Sequence, residues 1–278
     1  LAINKDVIAK LPNEVRQIIN SDAEVVNKLG SNAMGNYLYV YKGVYATDED
    51  VPVNPLTGER LRMGGNTSTQ AYFKAGDPIW VDVNGDYIID EKDKVIVGNS
   101  QPRMTGGISI NLRYKAFSIN TNCSFTLRRD IINKALADRF RAYGTPVAGK
   151  VNLTGSGALT PIEAYNFWTE DNIYAQYPNP FDYTRSSIIQ PFRYDQTLFM
   201  EDGSYFKING ISVAYTIPKK MLDFFRISRC QLNFSMNNIY TFSKYSGINP
   251  ENVNNLGYDT SGGYPNGRTV TFGVSMDF

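Results

Sequence analysis

The sequence contains no histidine and only two cysteines. Without histidine there is no imidazole general base, no Ser-His-Asp or Cys-His nucleophile, and no histidine metal site. Cys123 and Cys230 lie too far apart for a CxxC zinc motif and are too few for a disulfide scaffold, so both are interpreted as small apolar side chains. These absences exclude most familiar enzyme chemistries, and no catalytic group of residues emerges from the rest of the sequence.

Charge and long apolar runs are also scarce. The chain has 28 Lys and Arg against 27 Asp and Glu, and it lacks the basic block expected of a nucleic-acid-binding protein. No run approaches the roughly 18 to 20 apolar residues of a membrane-spanning helix. The mean hydropathy of -0.32 resembles that of a soluble protein, but the strands of a membrane barrel also average to a mildly polar composition. Abundant Tyr, Phe, Asn and Ser favour an all-β protein.

Several segments alternate apolar and polar residues with the period of two that is typical of strands. The clearest are residues 103–114, 117–127, 204–217, 229–240 and 270–278, and weaker ones are 1–8 and 36–45. The first two form a hairpin through Lys115 and Ala116. In 204–217 the apolar positions change parity near Asn209 and Gly210, which predicts a β-bulge. Residues 131–143 have helical spacing, which predicts a short helix packed on the sheet.

The connections between these strands alternate in length. Residues 114–116 and 218–225 are short connections, whereas 46–102, 128–203 and 243–267 are long. Outer-membrane barrels combine tight periplasmic turns with extended extracellular loops in this way. The sequence therefore predicts a transmembrane antiparallel β-barrel with its long loops on one side, and a soluble β-sandwich is the alternative. The residues predicted to face lipid are Phe117, Ile119, Phe125, Phe234, Val270, Phe272 and Val274.

The end of the sequence agrees with this prediction. Phe278 closes an alternating strand and follows Phe272 by six residues. A terminal aromatic residue on an amphipathic strand is the kind of signal that outer-membrane assembly machinery reads. It favours the barrel over the sandwich.

An acidic segment at residues 82–93 has the ligand spacing of a twelve-residue calcium loop. The predicted ligands are the side chains of Asp82, Asn84, Asp86, Asp90 and Asp93 and the carbonyl group of Ile88. Tyr87 stands where such loops usually need glycine, because that position requires a positive φ. Because of the ligand spacing, Ca²⁺ is predicted as a structural cofactor. The alternative is an Asx-rich turn held by its own hydrogen bonds.

The long connection 128–203 is rich in aromatic residues. Aromatic faces stack on sugars and on peptide side chains, so this connection is a candidate surface for a nutrient or a protein partner. The residues singled out are Trp168, Tyr174, Tyr177 and Tyr183. The alternative, which is the more usual role of such residues, is packing within the loop itself.

Several motifs resemble one family in their order along the chain. Residues 76–90, GDPIWVDVNGDYIID, and 98–102, GNSQP, resemble a stretch of SusC/RagA-like TonB-dependent transporters of Bacteroidota outer membranes. Residues 168–172, 201–211, 214–220 and 237–247 resemble further motifs of that family. The departures include Tyr87 in place of Gly, Glu170 in place of Pro and Asp171 in place of Glu.

The resemblance implies a barrel of roughly 22 strands with an N-terminal plug inside it. At about 9 to 11 residues per strand plus loops, this chain holds only about a third of such a barrel. Residues 1–278 are therefore expected to be the C-terminal portion of the barrel, and the plug and the TonB-contacting segment are expected in a missing N-terminal part.

The family resemblance also implies a function and partners. The expected role is import of a large nutrient, an oligosaccharide or a peptide, across the outer membrane without a chemical step. TonB would supply energy, a SusD-like surface lipoprotein would cover the extracellular loops, and outer-membrane lipid would surround the barrel. The alternatives are a passive diffusion barrel and a soluble calcium-stabilised carbohydrate-binding domain.

Overall fold

Long strands and long connections alternate in the computed structural model, which describes residues 1–11, 17–20, 25–65, 68–143, 146–147, 150–151, 164–185, 187–223, 227–254, 256–259 and 266–277. The strands are β1 (Ala2–Ile3), β2 (Gln17–Asn20), β3 (Val25–Lys28), β4 (Asn36–Tyr39), β5 (Tyr41–Val44), β6 (Arg62–Met63), β7 (Pro78–Trp80), β8 (Ile88–Ile89), β9 (Lys94–Val97), β10 (Met104–Tyr114), β11 (Phe117–Leu127), β12 (Asp130–Ile132), β13 (Pro146–Val147), β14 (Lys150–Val151), β15 (Met200–Asp202), β16 (Tyr205–Thr216), β17 (Arg229–Ser243) and β18 (Thr269–Asp277). The helices are α1 (Lys134–Tyr143) and α2 (Lys219–Leu222).

The principal sheet has six antiparallel strands in the order β1-β10-β11-β16-β17-β18. The five clear strand predictions correspond to β10, β11, β16, β17 and β18, so the all-β prediction is confirmed. Strand β17 continues to Ser243, beyond the predicted end. Phe278, the predicted terminal residue of the last strand, lies outside the described residues.

Two weaker strand predictions were wrong in extent. Only Ala2–Ile3 pairs with β10, because the chain then turns away and Ile8 exchanges backbone hydrogen bonds of 2.9 Å with Gly30 and Ser31. Residues 36–45 form two strands in separate sheets, since β4 pairs with β9 and β5 pairs with β7. The interruption lies at Val40.

The predicted helix was also partly wrong. Residues 130–132 form strand β12, which pairs with β15, and helix α1 begins only at Lys134. The apolar side of α1 packs within the long connections rather than on the principal sheet. Its buried contacts are Leu136, Ala137 and Phe140 against Phe167, Phe192 and Phe199. The helical spacing predicted a helix correctly, but spacing alone does not indicate which surface the apolar side of the helix packs against.

A bulge in β16 keeps the apolar residues on one face of the sheet. Asn122 pairs with Gly210, whereas the next residue, Cys123, pairs with Ile208, so Asn209 has no partner on β11. The unpaired residue reverses the alternation, which places Ile208 on the same side as Ile211. The parity change in the sequence is thus confirmed as a bulge.

One face of the sheet is apolar and is left exposed by the described residues. Opposite residues such as Phe117 and Tyr215, or Phe234 and Phe272, put large apolar side chains on this face. Phe272 is 68% exposed and Val270 is 59% exposed. We call this surface the apolar band, and it includes Ile108, Ile110, Leu112, Phe117, Ile119, Leu127, Phe206, Phe234, Phe242, Val270, Phe272 and Val274. A soluble sandwich would bury such a face.

The described helices are all too short or too polar to cross a membrane.

The short and long connections lie at opposite ends of the sheet. Lys115 and Ala116 join β10 to β11, and residues 217–228, which contain α2, join β16 to β17. The long connections leave the other end and pack together there, as the sequence predicted. They contain the hydrophobic clusters of the chain, so its described interior lies in the connections and not under the sheet.

We expect Phe272→Arg to destabilise the full-length protein in bilayers by about 2 to 4 kcal/mol, because a guanidinium near the middle of a lipid-facing strand loses its hydration. Thr271→Arg is the matched control, since Thr271 lies on the opposite face of the same strand. Reversible denaturant unfolding from vesicles measures both variants. Equal effects of the two substitutions would contradict a lipid-facing band.

Candidate functional site

The three long connections fold into one packed structure at the end of the sheet, which we call the loop unit (residues 36–100, 130–202 and 245–259 where described). Backbone hydrogen bonds join its parts: Asn179 donates to Gly76 over 2.9 Å and Ile132 donates to Gly257 over 2.8 Å. The Trp168 indole donates to the carbonyl group of Ala46 over 3.2 Å. The loop unit is the candidate functional site because it alone gathers the predicted binding residues.

A buried aromatic and ionic network supports the first part of the loop unit. The rings of Tyr39 and Trp80 stack at 5.1 Å, and the Arg193 guanidinium lies 4.7 Å from the Tyr39 ring. Arg193 also pairs with Asp195, which accepts from Lys94 Nζ at 2.7 Å. Burial would raise the pKa of Asp195, but the two neighbouring cations hold it below its usual value.

Arg185 and Asp77 form a second buried ion pair across two long connections. Their side chains are only 5% and 2% exposed. Arg185 also donates through Nη1 to Gln70 O at 2.7 Å and through Nη2 to Tyr72 O at 2.6 Å. Its guanidinium therefore ties the segment 70–77 to the segment 182–185. Sequence reasoning missed this pair, because nothing local distinguishes an arginine that will be buried 108 residues from its partner.

The predicted aromatic residues fall into different environments. Trp168 is buried, and its ring lies against Gly76, where an added Cβ would come within 2.8 Å of Cε3. Tyr177 packs against Phe140 with ring centroids 5.1 Å apart. Tyr174 is 85% exposed. Tyr183 begins a 3-10 turn, and its side chain lies outside the described part. Trp168 and Tyr177 are thus packing residues, and Tyr174 is the one described member of the set available for contact.

The acidic segment 82–93 folds into a turn capped by its own side chains. Asp82 accepts hydrogen bonds from the amides of Gly85 at 2.7 Å and Tyr87 at 2.8 Å. Asp86 accepts from the amide of Ile88 at 2.9 Å. Tyr87 has a φ of 62°, the left-handed conformation that the loop spacing requires. Its partly buried side chain packs against the core of the loop unit, and this contact offsets the backbone strain.

The remaining predicted ligands also bond to the turn. Asn84 Oδ1 accepts from the amide of Asp86 at 2.9 Å, and Asp90 Oδ1 accepts from that of Lys92 at 2.8 Å. Asp93 accepts from the amides of Val83 at 2.9 Å and Asp90 at 2.8 Å. Burial raises the pKa of Asp93 above its usual value. Within the described ranges, no group of three or more Asp, Glu or Cys side chains is arranged to hold a metal. Calcium binding stays a prediction.

The third long connection contributes a polar cluster that sequence reasoning did not find. Lys207 of β16 forms a salt bridge of 2.5 Å with Glu251, and the two residues line a cavity of about 280 Å³. The Tyr245 hydroxyl donates to Asp259 Oδ2 at 2.5 Å. Burial and the neighbouring Asp259 carboxylate raise the pKa of Tyr245, so its hydroxyl stays protonated. Lys207 pairs with Ser124 on the face of the sheet opposite the apolar band.

We expect Arg185→Met to destabilise the loop unit by about 3 to 5 kcal/mol, because Asp77 would remain buried without a counter-charge. Adding Asp77→Asn should recover part of the loss. The control is Arg60→Met, since the Arg60–Asp48 pair is solvent-exposed and should contribute less than about 1 kcal/mol. Limited proteolysis of the full-length protein across a temperature series measures the effect. Similar losses for the two single variants would contradict the assigned role of Arg185.

Comparison with curated proteins finds relatives along almost the entire chain. TonB-dependent receptor P3 of Formosa agariphila is 27% identical over 299 aligned positions, which cover 99% of this chain and 26% of the relative. The TonB-dependent receptor SusC of Bacteroides thetaiotaomicron is 23% identical and is matched over 90% of this chain and 24% of its own length. No family model matches the sequence.

Solved structures give the same answer for the fold. The RagAB peptide importer in its open-open state matches 98% of this chain and 25% of the matched chain, with a TM-score of 0.68 and 17% identity. The closed-closed state gives a TM-score of 0.63. The chain spans about a quarter of the length of the proteins it matches. In sequence and in fold, the chain is therefore similar to SusC/RagA-like TonB-dependent transporters.

Proposed function

We propose that this chain is part of an outer-membrane importer that takes up a large nutrient with energy from TonB. The observation that carries the proposal is the exposed apolar band on a sheet whose fold matches the RagAB peptide importer, in a chain whose sequence relatives are TonB-dependent receptors. Hydrocarbon is the environment that such a band requires. The role is gated passage without a chemical step, which agrees with the relatives' names as receptors.

The nutrient is an oligosaccharide or a peptide. RagAB is described as a peptide importer, and the exposed ring of Tyr174 suits either a sugar face or a peptide side chain. The polar surface around Lys207 and Glu251 offers both hydrogen-bond donors and hydrogen-bond acceptors. Uptake of labelled peptides and labelled oligosaccharides by cells carrying the full-length protein, with and without functional TonB, tests the proposal. Uptake that does not depend on TonB would favour a passive barrel.

The proposed partner is a SusD-like lipoprotein that covers the loop unit. The loop unit lies at one end of the sheet, and its outer turns expose apolar side chains such as Leu56 at 93% and Tyr174 at 85%. A permanent lid of this kind would bury an interface above about 2,000 Å² in total. The packed interior of the loop unit supports this role, because a rigid surface loses little conformational entropy on binding.

We expect replacement of the exposed turn around Tyr174 (Glu170→Arg, Asp171→Arg and Tyr174→Ser) to reduce copurification of the lipoprotein and to slow nutrient uptake at least several-fold. These side chains are exposed, so the fold should survive. Met221→Ser is the control, because Met221 is 65% exposed at the opposite end of the sheet. Full retention of partner and uptake in the turn variant would limit the 128–203 connection to packing.

Calcium binding by residues 82–93 is proposed as a structural feature of the loop unit. Four Asp side chains fall within twelve residues, and each oxygen that caps an amide retains a second lone pair for a cation. The positive φ of Tyr87 gives the turn the backbone shape that calcium loops adopt with glycine.

We expect millimolar Ca²⁺ to raise the unfolding temperature of the loop unit relative to chelator, with a smaller effect of Mg²⁺. Asp86→Asn should abolish this difference while keeping an oxygen for the Ile88 amide. Asp171→Asn, in an exposed turn, is the matched control. If the wild-type protein unfolds at the same temperature in calcium and in chelator, the segment is an Asx turn alone.

A further inference from the structure

A cavity of about 1030 Å³ opens at the end of the sheet where the long connections begin. Of its described lining residues, two are acidic, Asp130 and Asp202. The cationic lining is larger and consists of Lys28, Lys92, Lys94, Arg103, Arg128 and Arg129. We call this space the rim cavity. Lys92 pairs with Asp90, and Lys94 pairs with Glu91 and Asp195. The excess of positive charge therefore comes from Lys28 and the three arginines, and it favours an anionic ligand.

The arginines of the rim cavity are only weakly compensated by acids, since Asp130 is near enough for the charge of Arg103 to act on its pKa without forming a short ion pair. Among the described residues, no carboxylate lies within ion-pair distance of Arg103, Arg128 or Arg129. The Nε atom of Arg129 is buried without a hydrogen-bond partner. A buried guanidinium nitrogen without an acceptor is costly. An anion in the cavity would compensate the charge of this guanidinium and of the two other arginines that line the cavity.

The rim cavity borders the apolar band. Arg103 directly precedes β10 and Arg128 directly follows β11, so both stand where the strands leave the band. Asp202 lines the rim cavity and also a shallow groove on the band side, formed with Leu127 and Phe242. With the band in hydrocarbon, the arginines lie at the height of the lipid headgroups.

We propose that the rim cavity binds the phosphate groups of an anionic membrane lipid. This inference rests on the proposed membrane position of the sheet. The planar fork of arginine matches phosphate oxygens in bidentate geometry, and several arginines in one cavity can hold a doubly charged group. The adjoining groove of Leu127, Tyr240 and Phe242 offers an apolar surface to the acyl chains. That continuity favours a lipid over a free phosphate, whose chemistry at the arginines would be the same.

The test uses the purified full-length transporter in detergent and three probes: phosphorylated lipid A, the same lipid without its phosphates, and inorganic phosphate. The cavity variant carries Arg103→Gln, Arg128→Gln and Arg129→Gln. The control variant carries Lys219→Gln, Lys220→Gln and Arg229→Gln, which removes the same charge at the opposite end of the sheet. Native mass spectrometry and thermal-shift titration measure binding, and nutrient uptake is measured in cells.

We expect the wild-type protein and the control variant to bind phosphorylated lipid A at least tenfold more tightly than the lipid without phosphates. The cavity variant should lose this preference. Inorganic phosphate that binds the wild-type protein as tightly as the phosphorylated lipid would overturn the lipid as the source. Equal binding of phosphorylated lipid A by the cavity and control variants would overturn the site. Uptake is the separate readout, since transport that persists in the cavity variant leaves the proposed import function standing.

Discussion

The structure depends on one constraint, which is that the principal sheet has an apolar face that the described part of the chain leaves exposed. In strands β10, β11, β16, β17 and β18, apolar and polar side chains alternate. The register between neighbouring strands places apolar residues opposite one another, so that they form one continuous band. Water is a poor solvent for such a surface, so the band dictates a membrane or an apolar partner. No described segment forms a second layer against this face, and the packed interior of the described residues lies in the long connections.

The sequence predicted the parts of the fold that depend on local periodicity. Strand positions, the hairpin at Lys115, and the bulge at Asn209 follow from the alternation of side chains, which the pleat of a strand imposes residue by residue. The predictions failed where the partner of a segment decides its form. Residues 36–45 alternate well enough for one strand, yet two different partners divide them between β4 and β5.

The candidate site was predicted less completely, because the local sequence does not show whether an aromatic or charged residue will be buried. Trp168 and Tyr177 pack inside the loop unit, whereas Tyr174 is exposed a few residues away. The role of the acidic segment does not follow from its sequence, because a self-capped turn and a calcium loop require the same residues at the same spacing. The pairing of Arg185 with Asp77 links distant segments, and only the folded chain brings them together.

The cross-connections within the loop unit have a mechanical consequence. Arg185 joins the first and second long connections, and the backbone bond from Ile132 to Gly257 joins the second and third. A displacement of any one long connection is therefore transmitted to the other two. The loop unit joins the sheet at junctions such as Arg128, whose φ of 57° departs from strand geometry. Contact with a single outer turn thus acts on the entire loop unit.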